Sequence, residues 1–80
     1  MNMNFDKYII GQVIKELRKS KNLSQEVLSG LAGLARSHLA MIESGAKQAN
    51  FETIWRIAIA LEIKPSTLVQ YIENRIESDK

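Results

Sequence analysis

The strongest constraint on the fold is the spacing of apolar residues. They return at three- and four-residue steps in five stretches, and nowhere alternate over a useful length as a strand would. Tyr8, Ile9, Val13, Ile14 and Leu17 form the first stripe; Val27, Leu28, Leu31 and Ala32 the second; Leu39 and Ile42 the third. Ile54, Ile57, Ala58 and Leu61 make a fourth at i, i+3, i+4, i+7, and Leu68, Val69, Ile72 and Ile76 a fifth. Asp6, Ser24 and Asn50 stand where N-caps belong, and Gly33 and Gly45 where helices stop. Pro65 suits a first helical position, where its missing N–H costs nothing. The expected fold class is all-α: five helices, the third over 36–44 and the fifth over 65–78, with a loop at 46–50 and a short turn at 62–64.

Length and composition narrow the function. Eighty residues make one domain, taken here as 1–80, and a chain this short buries only about 60% of its unfolded surface. A second subunit would add buried area. With 45% hydrophobic and 25% charged residues the chain reads as globular rather than disordered. The lack of cysteine removes disulfides, thiol catalysis and thiolate metal sites. The longest apolar run, Ile57–Leu61, is far too short to span a membrane, and no signal segment opens the chain, so a cytoplasmic location is expected. His38 stands without a second histidine, a cysteine or an acidic cluster, and is placed at the edge of the third helix rather than on a metal. No nucleophile–base pair and no phosphate-cradling glycine loop is present, so no catalytic residue, metal, cofactor or small-molecule ligand is expected.

Charge is unevenly distributed. From Lys15 to Lys47 six basic residues oppose three acids, a balance of +3; from Phe51 to Lys80 four oppose five, a balance of −1. The first half would be drawn to a polyanion and the second would not. Glu16 with Lys19 and Glu52 with Arg56 read as helix-surface pairs, and Glu73, Glu77 and Asp79 as a solvated tail.

The informative segment is 25–44, two short helices with a tight turn opened by Gly33. A glycine there takes positive φ without strain and swings one helix across the other. Leu28, Ala32, Leu34, Leu39 and Ile42 fall where the helices must pack, and Ser29 is small where they approach. Such a helix-turn-helix lets its second helix stand out from the body and enter a DNA major groove.

From about Val13 to Leu68 the chain resembles the Xre, or Cro/CI-type, phage repressor helix-turn-helix domains. The matching pieces are Leu23-Ser24-Gln25-(x2)-Leu28, Gly33, Leu39-(x2)-Ile42-Glu43-x-Gly45 and Phe51-Glu52-Thr53-Ile54-(x2)-Ile57-Ala58-x-Ala60-Leu61. The length and fifth helix look most like restriction–modification controller proteins. The resemblance implies a five-helix lambda-repressor-like domain acting as a sequence-specific, dimeric transcription regulator on double-stranded DNA. It also implies residue roles. Gln25 is similar to the family glutamine that bonds a phosphate. Arg36, Ser37, Ala40 and Met41 occupy the reading face of helix 36–44, and Lys47, Gln48 and Asn50 lie in the loop that follows the backbone. Arg18 and Glu43 match a recurrent structural ion pair. Three features depart from the pattern: Ala35 cannot cap the third helix and Gly30 lies inside the second, each at about 1 kcal/mol, and Ala40 and Met41 make the reading face less polar than usual.

Two readings stay open for the other half. Trp55 is core filling by default; alternatively Trp55 and Ile59, off the inward stripe, join Val69, Ile72 and Ile76 in a dimer interface. The same fold also serves as a protein-interaction module, such as an antitoxin that masks a partner.

Overall fold

The computed structural model describes residues 4–78, so Asp79 of the expected tail lies outside the described residues. Five helices appear in the expected order: α1 Lys7–Ser20, α2 Gln25–Ala32, α3 Arg36–Ser44, α4 Phe51–Ala60 and α5 Pro65–Ser78. There is no strand among the described residues. Local chemistry sets the boundaries. The Asp6 carboxylate accepts from the Tyr8 and Ile9 N–H groups at 2.9 and 3.3 Å. Ser24 Oγ accepts from the Val27 N–H at 3.1 Å, and Asn50 Oδ1 from the Thr53 N–H at 2.8 Å. Gly33 (φ 71°) and Gly45 (φ 81°) end α2 and α3 in the left-handed conformation. Ala35 offers α3 no side-chain cap.

α1 packs on α3 and α5, α2 on α3 and α4, and α4 on α5. Every helix or its end contributes to the sealed centre: Ile14, Leu28, Leu39, Ile42, Ile57, Leu61 and Leu68. Each such side chain contributes roughly 1.5–3 kcal/mol of burial. α1 and α3 come very close: a Cβ at Gly11 would overlap the carbonyl oxygens of Ile42 and Glu43.

Some stripes sit differently from expectation. The buried face of α2 is Leu28, Ser29 and Ala32, which turns Val27 and Leu31 onto the flank, where both are exposed. A helix successively rotates 100° per residue, so a stripe shifted toward Ser29 carries the i−1 and i+3 neighbours of Leu28 outward. Tyr8 is also exposed, its ring lying where a Cβ on Gly45 would be. Glu16 does not serve Lys19; it pairs with Arg75, joining α1 to α5. Glu52 and Arg56 do pair, at 2.8 Å.

Candidate nucleic-acid interface

The turn between α2 and α3 is built from the backbone outward. The Leu34 N–H reaches back to the Ser29 carbonyl at 2.8 Å and the Gly33 N–H to that of Gly30 at 3.3 Å, closing the end of α2. Leu34 packs against the core and anchors the turn. α3 leaves it with Leu39, Ile42 and Glu43 turned inward. Its outer face presents Arg36, Ser37 and Met41, all exposed, with Ala40 and His38 half-buried at the margins. With no side-chain cap, the first N–H groups of α3 are left for water or an anion.

Behind this face lies a buried ion pair. Arg18 of α1 donates Nε to Glu43 Oε2 at 2.7 Å and Nη2 to Oε1 at 3.0 Å, a two-bond fork with the side chains only 9% and 2% exposed. Its remaining arm, Nη1, donates to the Leu23 carbonyl at 2.7 Å. The bonds to Glu43 raise the Arg18 pKa, against a smaller opposing effect of burial, so the guanidinium stays charged. The expected Arg18–Glu43 pair therefore spans α1 and α3 and also ties the loop before α2. Among the described residues no buried side-chain polar atom lacks a partner.

The remaining sequence-predicted residues fall in three places. Gln25 opens α2 half-buried, and its Nε2 donates to Glu43 Oε1 at 3.0 Å, a contact that motif reading missed. Lys47, Gln48 and Asn50 are exposed in the loop after α3, next to its outer face, and the Lys47 N–H folds back to the Met41 carbonyl at 3.1 Å. Asn50 commits a lone pair of its side-chain oxygen to capping α4.

The residues expected at a dimer interface divide. Trp55 is 50% and Ile59 58% exposed, so core filling is not the role of Trp55. Val69 is exposed as well. Ile72 is not a surface residue: at 8% exposure it belongs to the core with Leu68, and Ile76 is half-buried beside it. The reason is the α5 seam, in which 68, 72 and 76 recur at i, i+4, i+8 and face inward together. Sequence reasoning overlooked Phe51, 71% exposed, and Leu31. Phe51, Trp55 and Ile59 form a second stripe along α4 at four-residue steps, a signal that was available in the spacing. The Phe51 and Trp55 rings meet edge to face with centroids 6.1 Å apart.

No cluster of three or more metal-ligating side chains occurs among the described residues, and no helix there is long and apolar enough to cross a membrane. The helix-turn-helix family HTH_3 matches residues 14–68. This chain belongs to that family. Control protein C.BamHI of Bacillus amyloliquefaciens is 33% identical over 64 residues, covering 79% of either chain. The crystal structure of the restriction–modification controller C.AhdI from Aeromonas hydrophila superposes with a TM-score of 0.75 at 40% identity, over 78% of this chain and 94% of that one. The controller C.Esp1396I, solved as a tetramer on its natural 35-base-pair operator, shares the fold at TM-score 0.83 and 23% identity, over 91% and 96% of the two chains. The HTH_3 match includes the whole α2–α3 unit, the buried Arg18–Glu43 pair and the exposed face in front of it.

Proposed function

We propose that this HTH_3 protein is a sequence-specific regulator of transcription that reads the major groove of double-stranded DNA with α3, as a homodimer in the cytoplasm, and carries out no catalysis. The observation that carries the reading is the contrast between the two sides of α3. Its inner side is locked by Leu39, Ile42 and a forked ion pair, while Arg36, Ser37 and Met41 project from its outer side with Ala40 half-buried at the margin. Arg36 can fork onto a guanine edge, Ser37 can reach a base or phosphate, and Ala40 and Met41 suit thymine methyl groups. Lys47, Gln48 and Asn50 follow the backbone, and Gln25 serves a phosphate beside the α2 N-terminus. Trp55, Ile59 and Val69, with Phe51, form the surface for the second subunit, and two half-sites about 34 Å apart follow from the two-fold symmetry.

Band-shift titration on the DNA upstream of the protein's own gene, with competitor and at several salt concentrations, tests this. Retention of the specific complex against competitor, with affinity falling steeply as salt rises, is the expected outcome; equal affinity for every duplex removes the regulatory reading. The exposed α4 stripe also suits a different protein, as an antitoxin would use it. Light scattering separates the two: a dimer supports self-association, whereas a well-folded monomer favours the masking role.

A further inference from the structure

Gln25 carries a detail that a simple phosphate contact leaves unexplained. Its amide, the two-bond fork of Arg18 and the carboxylate of Glu43 converge, so side chains of α1, α2 and α3 share one buried oxygen pair. The orientation of the amide follows from its chemistry. An ionised carboxylate only accepts, so the nitrogen, not the oxygen, must face Glu43. One Nε2 hydrogen is thereby engaged, and the planarity of the amide fixes the direction of the second. A phosphate oxygen is likewise an acceptor, so that second hydrogen is the side chain's only means of serving it. Close to a phosphate an isolated carboxylate would repel the ligand; the Arg18 guanidinium offsets its charge from behind. Through Nη1 it also grips Leu23, the residue before the α2 cap.

We infer that Glu43, backed by Arg18, is a positioning residue for DNA binding: it aims the remaining Gln25 amide hydrogen at a backbone phosphate. This rests on the DNA reading above. The buried pair thus does more than brace α3. It restricts a flexible side chain when the protein folds rather than when it binds, so association does not carry that ordering cost.

The test removes the pair as a pair. Arg18→Met with Glu43→Met leaves the net charge unchanged, and replacing a buried ion pair with apolar side chains of similar volume is commonly neutral for stability. The readout is band-shift affinity for a random-sequence duplex at fixed low salt, because phosphate contacts are blind to sequence. Gln25→Ala is expected to weaken binding about fivefold, the scale of one hydrogen bond. The Met/Met variant should lose the same factor, and Gln25→Ala should cost nothing more within it. The slope of affinity against salt should stay constant throughout, since no charge changes. A full additional loss on adding Gln25→Ala to the Met/Met background, or no effect of Gln25→Ala alone, overturns the inference and leaves DNA binding standing. Failure of the unaltered protein to hold any duplex overturns both. If the Met/Met variant unfolds, NMR of the unaltered protein decides. The Gln25 side-chain amide signals should stand apart from those of the exposed Gln12, Gln48 and Gln70, and one of its two hydrogens should shift when duplex is added. Coincidence with the exposed glutamines overturns the proposal.

Discussion

The α2–α3 and α4–α5 pairs are each two helices joined by a short link, yet they show opposite surfaces to the outside. The outer side of α3 is short and mixed, with Arg36 and Ser37 beside the half-buried Ala40 and the exposed Met41, and a salt bridge is sealed beneath it. The outer side of α4 is a row of Phe51, Trp55 and Ile59 with Val69 of α5 alongside; the Glu52–Arg56 pair on α4 and the Glu16–Arg75 pair between α1 and α5 are open to water. Water tolerates the first arrangement without loss. The second leaves apolar area uncovered that small monomeric domains seldom expose as one patch. The outer side of α4 therefore carries a more continuous apolar row than the outer side of α3.

Substitutions at either surface can break this contrast. Glu43→Ala leaves Arg18 charged and buried without its carboxylate, and should cost about 3–5 kcal/mol, measurable by urea or thermal unfolding. Arg75→Ala, at the exposed counterpart, should shift the same midpoint far less. Equal losses at the two sites would erase the distinction between them. Placing lysines on the apolar row, Trp55→Lys with Ile59→Lys, should reduce the mass seen by light scattering to that of one chain while helical circular dichroism persists. A surviving dimer would move the interface elsewhere. On the outer side of α3, Arg36→Ala, Ser37→Ala and Met41→Ala together should lower affinity for the upstream duplex by at least about tenfold, on the scale of one lost base contact, with unfolding unaltered.

Two smaller effects sharpen the picture. Gly30 lies mid-helix with no atom near where a Cβ would go, so Gly30→Ala should stabilise by about 0.5–1 kcal/mol; Gly11→Ala, at the α1–α3 contact, should destabilise. Glu16 gives the least. Its hydrogen bond with Arg75 lowers its pKa, against a smaller opposing effect of desolvation and with a lesser charge contribution from the same arginine. A depressed folded pKa means the contribution is fully present above the ordinary glutamate value of about 4.3, and is lost as pH falls through the lowered value. In Glu16→Gln that part of the acid dependence should vanish, which paired thermal melts between neutral and acid pH would register.

The positions that sequence reading placed well depend on near neighbours. Asp6, Ser24 and Asn50 cap helices within three residues of themselves, and Gly33 and Gly45 take a backbone shape other residues resist, so helix ends were legible. The exposure of the outer face of α3 was legible too, because the apolar residues opposite it leave those positions no other place. Periodicity failed where a helix had two apolar stripes. α4 carries 54-57-58-61 and 51-55-59, and the spacing does not say how much of the second is covered. On α5 it did not separate the inward 68-72-76 seam from Val69 beside it.

By itself, then, the order of residues determined five helices, their ends, and which short segment faces outward as a unit, since those properties follow from interactions within a turn or two of helix. Tertiary structure alone decided that Glu16 answers Arg75 across 59 positions and that Gln25 joins the Arg18–Glu43 pair, which the family resemblance had led us to expect, from a third helix. Such meetings depend on how helices cross, and crossing is set by the summed packing of side chains from all five, a quantity no local stretch of chain contains.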